Sequence, residues 1–92
     1  MTWDGFTTAG FDLESDPTRY RYELVAEHLA GLIESGQLRA NNPLPSEGDL
    51  AEAYGVSLGT VRHATRLLRL RGLVVTVKSK GTYVTRPFGQ DR

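Results

Sequence analysis

The chain has 92 residues, of which 39% are hydrophobic, and it contains ten glycines, four prolines and no cysteine. This length predicts one small domain with a compact core. The lack of cysteine excludes a disulfide framework, a thiolate metal site and a cysteine nucleophile. The sequence has no apolar run long enough for a membrane span and no signal peptide. We therefore expect a cytoplasmic protein without a metal or another cofactor.

The formal net charge of zero conceals a division of charge along the chain. Residues 1–57 hold ten acidic and three basic residues, a balance of −7, whereas residues 58–90 hold seven basic residues and no acid, a balance of +7. Such asymmetry predicts an anionic partner for the C-terminal half. The near-neutral pI of 6.7 does not argue against nucleic acid, because binding depends on a local basic face.

Residues 1–16 show neither a helical nor a strand period and combine four acids with isolated aromatic residues. We predict a flexible acidic N-terminal arm here. The alternative is that the aromatic residues Trp3, Phe6 and Phe11 dock on the domain or on a second copy. The folded domain is expected over 17–86, followed by a short frayed tail over 87–92.

Asp16 and Pro17 predict the start of a first helix, because Asp is a good N-cap and Pro fits the first helical position. Gly36 predicts its end. His28 lies near the polar boundary of this helix and is interpreted as a solvated surface residue. Residues 39–45 contain two prolines and predict at most a short edge strand. The apolar residues at helical spacing are Tyr22, Val25, Ala26, Leu29, Leu32 and Ile33.

A helix-turn-helix is predicted over 45–72. Ser46 is a suitable N-cap, with Asp49 placed to complete a capping box, and Gly55 suits the left-handed residue that ends a helix. Ser57 then caps a second helix over 58–71. Two helices joined by about three residues that include Gly are typical of this motif. The apolar face of the second helix comprises Val61, Ala64, Thr65 and Leu68.

The opposite side of the second helix carries a row of arginines. Arg62, Arg66 and Arg69 fall together at the helical period, and Leu58 and Gly59 lie toward the same side near the N-terminal end. This arrangement suits a helix placed in the major groove of DNA with its first turns nearest the bases. The alternative is a solvated basic face on an ordinary surface helix.

After Gly72 the period changes from 3.6 to 2, which predicts a half-buried strand over 73–77, a polar turn over 78–81 and a return strand over 82–85. Three helices followed by this hairpin predict a mainly helical α+β fold, the winged helix-turn-helix. Lys78, Lys80 and Gly81 lie at the tip of the two-stranded wing. A charged tip can serve solubility alone, but its position directly after the arginine helix favours a shared anionic partner.

Over about residues 20–85 the chain resembles the N-terminal DNA-binding domain of the GntR family of bacterial transcription regulators. The resemblance implies homodimers that bind palindromic operators, usually as repressors. It also usually implies a C-terminal domain for ligand sensing and dimerisation, for which we expect no room in this chain. We therefore expect either a fragment of a longer regulator or one of the small members that carry only the winged helix. The motifs that carry it are Tyr22-x-x-Val25-Ala26, Leu44-Pro45-Ser46-Glu47, Tyr54-Gly55-Val56-Ser57, Thr60-Val61-Arg62, Gly72-Leu73 and Lys80-Gly81-Thr82-Tyr83-Val84.

The chain departs from the pattern of similar proteins at three positions. Gly48 and Leu58 stand where the family commonly has basic residues that contact DNA, and Thr65 stands where it usually packs Leu. One Arg–guanine contact contributes about 1–3 kcal/mol of base discrimination, so we expect an altered or weakened operator preference. Leu58 is suited instead to a thymine methyl group. The Thr65 hydroxyl is expected to bond to the preceding turn.

We predict a sequence-selective regulator that binds double-stranded DNA and associates with the nucleoid. Residues 58–71 would read the major groove, and residues 78–81 would reach the backbone or the minor groove. The expected DNA contacts other than those to bases are Ser46, Ser57, Thr60, Arg66, Arg69, Lys78, Lys80 and the Gly81 backbone. The expected base contacts are Leu58, Gly59, Arg62 and His63, with a solvated His63 as an equal alternative.

The alternative function is a protein-interaction module on a winged-helix scaffold that has lost productive DNA binding. Gly48 and Leu58 favour it, as do Leu67 and Leu70, which lie off the main core face and could form an apolar surface. The retained Arg62 and the lysine wing count against it. No enzyme is predicted, since two distant histidines and no paired carboxylates offer no catalytic or metal site.

Overall fold

The computed structural model describes residues 5–85 of the chain. Three helices precede a two-stranded antiparallel sheet, which confirms the predicted order of a winged helix-turn-helix. Arg86 and the tail predicted over 87–92 lie outside the described residues, as do Trp3 and its neighbours in 1–4. The elements are α1 (Arg21–Glu34), α2 (Glu47–Tyr54), α3 (Leu58–Leu70), β1 (Val74–Val77) and β2 (Gly81–Val84).

The predicted start of α1 at Asp16 and Pro17 is wrong. The Asp16 carboxylate accepts hydrogen bonds from the hydroxyl and the backbone N–H of Thr18, at 2.6 and 3.0 Å. These bonds close a local turn instead of capping a helix, and they lower the pKa of Asp16. The helix begins at Arg21, and the Glu23 carboxylate accepts from the N–H of the N-cap residue Tyr20 at 3.1 Å.

The core lies where α1 and α3 cross and is closed by α2 and the base of the sheet. Gly36 ends α1 with φ at 86°, and the Leu38 N–H then donates to the Leu32 carbonyl at 2.9 Å, as expected for a left-handed helix end. None of the helices within residues 5–85 has the length and apolar character needed to cross a membrane. The largest fully buried side chains are Leu29, Leu50, Leu68, Val25, Val61, Val84 and Thr65.

The wing is a hairpin anchored on both sides of β2. In its register Val77 faces Gly81 across a loop of residues 78–80. On the other side of β2, the Leu44 N–H donates to the Thr82 carbonyl and the Val84 N–H donates to the Asn42 carbonyl, both at 2.9 Å. This pairing is an isolated bridge at Pro43 opposite Tyr83 and not a strand, which stays within the expected limit of at most a short edge strand in 39–45, and it fixes the hairpin to the body of the domain.

The apolar residues of β1 do not share one buried face. Leu73 and Val74 are both buried, whereas Val75 and Val77 are 46% and 38% exposed. The strand is therefore buried at its start and exposed toward the hairpin loop. It does not bury one face and expose the other. The cause is that the hairpin projects beyond the core after Val74, so that neither face of its outer half is covered.

Of the two alternatives for the N-terminal arm, the structure shows the one in which aromatic residues dock on the domain. Phe6 and Phe11 meet the Tyr54 ring edge-on, with centroids 5.7 and 4.7 Å apart. His28 Nδ1 lies 2.7 Å from the Tyr54 hydroxyl, and Phe11 packs against the imidazole. The interpretation of His28 as a solvated residue is wrong, because residues 5–15 cover this side of α1.

Candidate nucleic-acid interface

The start of each helix in the helix-turn-helix is set by a serine cap. Ser46 Oγ accepts from the Asp49 N–H at 3.1 Å, and Ser57 Oγ accepts from the Thr60 N–H at 3.1 Å. Between the helices Gly55 adopts φ 73° and ends α2. No return bond from the Asp49 carboxylate to Ser46 is present among the described residues, so this cap is one-sided. Both predicted N-caps and the predicted glycine stop are confirmed.

Opposite faces of α3 meet the core and the solvent. Val61, Ala64, Thr65 and Leu68 are buried, and the Thr65 hydroxyl donates to the Val61 carbonyl at 2.9 Å, as expected for a buried threonine. The solvent side forms what we call the exposed band of α3. Its members, which point away from the buried residues, are Gly59, Arg62, His63, Arg66 and Leu70.

Two hydrogen bonds join one edge of α3 to its neighbours. Arg62 Nε lies 3.1 Å from the Glu47 carboxylate on α2. Arg69 Nη1 donates to the Thr76 hydroxyl on β1 at 3.0 Å, and Thr76 is 3.2 Å from the Thr82 hydroxyl on β2. α3, the start of α2 and the wing therefore present neighbouring surfaces.

The opposite edge of the exposed band meets α1 through aromatic stacking. The His63 imidazole lies on the Tyr22 ring with centroids 3.6 Å apart and planes inclined by 9°. Helical geometry places His63 about 100° around α3 from Arg62, so the two residues border different sides of the band. The His63 side chain is thus held against the domain instead of extending freely into solvent.

Two arginines of the basic C-terminal half form ion pairs with acids of the N-terminal half. Arg62 pairs with Glu47, and Arg71 pairs with Glu34 at 3.4 Å. All four side chains are at least 42% exposed, and such pairs contribute about 0–1 kcal/mol, so a phosphate can replace the carboxylate at little cost. Within residues 5–85, Arg66, Lys78 and Lys80 have no ion-pair partner.

The remaining predicted site residues lie on the same elements. Ser46, Ser57 and Leu58 are exposed at the helix starts, and Thr60 is half-buried. Lys78 and Lys80 are exposed on the loop of the wing, and Gly81 has φ at 123°, a conformation that favours glycine. The structure thus places the predicted residues on α2, α3 and the wing without assigning a ligand to them.

Sequence reasoning missed three residues that orient the site. Glu47 holds Arg62, Thr76 holds Arg69, and Tyr22 holds His63. Each pair joins two different elements, so no helical or strand period relates its members. The opposite charges of Glu47 and Arg62 were a weak signal, because the sequence offers ten other acids as partners.

The apolar surface expected from Leu67 and Leu70 is divided in the structure. Leu67 is half-buried against the core, whereas Leu70 is 77% exposed. A joint apolar contact surface at this place was a main argument for a protein-interaction module. Within the described part of the chain no group of three potential metal ligands occurs.

Comparisons with known proteins agree with this architecture. The model of the gntR family of bacterial regulatory proteins matches residues 21–84. The transcriptional repressor NagR of Bacillus subtilis is 41% identical over 66 residues, which are 72% of this chain and 27% of NagR. The histidine utilization repressor of Klebsiella aerogenes is 38% identical over 69 residues, 75% of this chain and 29% of that protein. The chain therefore spans less than a third of the length of these relatives.

A solved structure with bound DNA is also similar. The DNA-binding domain of AraR, crystallised with its operator ORE1, superposes with a TM-score of 0.70 and 31% identity over 73% of this chain and 82% of that chain. The similarity covers the three helices and the wing, which makes this fold a winged helix-turn-helix. The matched residues include both helices of the motif and the hairpin, and on this evidence the chain belongs to the gntR family of bacterial regulatory proteins.

Proposed function

We propose that this chain binds a specific sequence of double-stranded DNA and regulates transcription as a repressor. The observation that carries the proposal is the exposed band of α3, which bears Arg62 and Arg66 and continues into the wing through the bond between Arg69 and Thr76. Family membership, the two similar repressors and the AraR–operator complex support it. A helix of about 10–12 Å in diameter fits the major groove, which is about 12 Å wide.

In this proposal α3 enters the major groove with its N-terminal half toward the bases. Leu58, Gly59 and Arg62 face base edges. The Ser57 hydroxyl donates to Thr60 Oγ1 at 3.0 Å, which leaves the Thr60 hydroxyl proton for a phosphate oxygen. Ser46 and Arg66 contact phosphates on either side.

The wing contributes a second contact to the same duplex. Lys78 and Lys80 approach the backbone or the adjacent minor groove, and Gly81 lets the main chain come close to the DNA. These contacts position the domain, whereas base discrimination depends on α3. We further propose that two copies occupy a palindromic operator in the cytoplasm, at the nucleoid, and this part is supported by family membership alone.

The test is a DNA titration with a matched pair of arginine variants. A duplex is selected from a random pool with the wild type, and affinities for it and for an unselected duplex are measured at two salt concentrations. Arg62→Ala is expected to lower the ratio of the two affinities by about 5- to 150-fold, because it removes a base contact. Arg71→Ala removes another exposed arginine that is paired with a glutamate but lies outside the band, and it should leave the ratio unchanged.

Two outcomes contradict the proposal. One is a lack of salt-dependent binding to any duplex at about 50 mM salt, which would favour the protein-interaction module. The other is an equal effect of the two arginine variants, which would mean that α3 does not read sequence.

A further inference from the structure

Three aromatic rings form a continuous stack that links α3 to the start of α1. Tyr20 stacks on Tyr22 with centroids 5.6 Å apart and an angle of 13°, and Tyr22 stacks on His63 at 3.6 Å and 9°. Tyr20 is nevertheless 69% exposed. A ring at this exposed position contributes little to the core. The stacked orientation of Tyr20 therefore matters for the surface of the domain and not for its interior. We call this set the aromatic ladder.

Stacking restricts what the ends of the aromatic ladder can contact. The two nitrogens of His63 lie in the plane of the ring, so with one ring face covered by Tyr22 they can meet a ligand only at the ring edge. Tyr side chains have two rotatable angles and lose little entropy on binding. The Tyr20 hydroxyl and a His63 N–H are therefore hydrogen-bond donors on rings whose orientation the stack restricts.

The charges around the aromatic ladder favour an anionic ligand. Arg66 lies one helical turn after His63 on the exposed band of α3, and Arg21 is exposed beside Tyr20 and makes no ion pair within residues 5–85. The nearest acid in sequence, Glu23, points its carboxylate to Arg19 Nε at 3.2 Å and to the Tyr20 N–H at 3.1 Å. The same Arg19 also binds Glu27.

We propose that the aromatic ladder binds the sugar–phosphate backbone along one wall of the major groove, through the His63 imidazole and the Tyr20 hydroxyl. This inference rests on the proposed function. A helix fills the groove almost completely, so a short side chain held at the edge of its exposed band meets the backbone, whereas the longer Arg62 side chain reaches from the opposite edge to the bases. His63 lies at the α1 edge of the band, and it thus contacts a phosphate instead of a base. The ladder extends the interface from α3 to the start of α1.

The experiment separates backbone contact from base reading and from structural support. Binding to the selected and the unselected duplex is measured for Tyr20→Phe and His63→Phe, which keep the stacked rings and remove the donors, and for Gln37→Ala as an exposed control far along the chain. Both Phe variants should weaken binding to the two duplexes by the same factor, about threefold to tenfold, because phosphate contacts carry no sequence information. The control should bind like the wild type.

Phosphate ethylation interference provides the second readout. Ethylation at one or two phosphates should weaken the wild type and have no effect on His63→Phe. The inference is overturned if the wild type binds DNA and both Phe variants stay within about twofold of it, and the proposed function then still stands. It is also overturned if the affinity ratio between the duplexes falls, which would make His63 a base contact. A wild type that binds neither duplex would overturn the inference and the proposed function together.

Discussion

Gly48 occupies the second position of α2, beside the Glu47 that holds Arg62. In similar proteins this position commonly carries a basic residue. The structure shows that a side chain would fit here, because no heavy atom lies within 4 Å of the position that a Cβ would take. The position is also exposed, and its φ lies outside the left-handed region. The absence of a cation at position 48 therefore reflects the choice of residue and not a lack of space.

Gly48→Arg is expected to bind duplex DNA more tightly and with a steeper dependence on salt. One added phosphate contact raises the slope of log affinity against log salt by about 0.9. Gly48→Ala is the matched control: it should leave the slope unchanged while stabilising the fold by about 0.5–1 kcal/mol, since Gly is unfavourable within a helix. Fluorescence titrations at several salt concentrations measure the slope, and urea denaturation measures stability. Equal slopes for the two variants would show that α2 does not face DNA.

At the scale of elements, the ends of the helices depend on whether a local side chain or a left-handed residue is available. Ser46 and Ser57 cap the starts of α2 and α3. Asp16 instead accepts a hydrogen bond from Thr18 in a local turn, and α1 begins only at Arg21. Gly36 allows the chain to leave α1 in a left-handed conformation that other residues adopt only at a cost.

Gly31 inside α1 and Gly36 just after it allow a glycine in the helix interior to be compared with one at the helix end. Gly31 is exposed inside the helix, Gly36 follows the helix with φ at 86°, and neither position has an atom within 4 Å of a built Cβ. Gly31→Ala should raise the free energy of unfolding by about 0.5–1 kcal/mol, and Gly36→Ala should lower it by about 1–2 kcal/mol because of the positive φ. Urea denaturation of both variants gives the two values. Changes of the same sign would contradict the assigned end of α1.

At the scale of the whole molecule, the N-terminal arm adds a second aromatic cluster to the small core. Phe6, Phe11 and His28 surround Tyr54 at the end of α2, and none of these residues belongs to the exposed band of α3. Gly5 runs so close to the loop after α1 that a Cβ would lie 1.9 Å from the Gln37 carbonyl oxygen. Within the arm, residues 5–11 therefore pack on the helical domain and contact both α1 and α2.

Phe11→Ala is expected to destabilise the domain by about 1–3 kcal/mol, since it removes a half-buried ring and its edge contacts with Tyr54 and His28. Binding to DNA at a temperature where the variant is folded should remain close to that of the wild type. Thermal unfolding followed by circular dichroism measures the effect. An unchanged midpoint would mean that the arm contributes no stability.

Burial raises the pKa of the Tyr54 phenol above its ordinary value of about 10. In the unfolded chain the phenol ionises at about pH 10, whereas in the folded chain it stays neutral at that pH, so the free energy of unfolding falls as the pH rises above about 10. Tyr54→Phe should lack this component. Its stability at pH 7 should be lower by about 1 kcal/mol through the lost bond to His28, and its decline at alkaline pH should be shallower.

Urea denaturation of the wild type and Tyr54→Phe between pH 7 and pH 11 gives both quantities. Parallel pH profiles would show that Tyr54 ionises as readily in the folded chain as in the unfolded chain. A smaller difference at pH 7 would place the contribution of Tyr54 in its ring instead of its hydroxyl.

The sequence by itself determined the elements whose signals lie within a few residues: the serine caps, the glycine at the turn of the motif, the hairpin loop and the buried face of α3. The tertiary structure alone decided the partners of the functional side chains, because Arg62 and Glu47, His63 and Tyr22, and Arg69 and Thr76 join elements that no local period relates. It also decided the place of the N-terminal arm, since isolated aromatic residues without a period do not reveal the surface they will cover. Local bonds depend on neighbours in the chain, and contacts between elements depend on how the core packs.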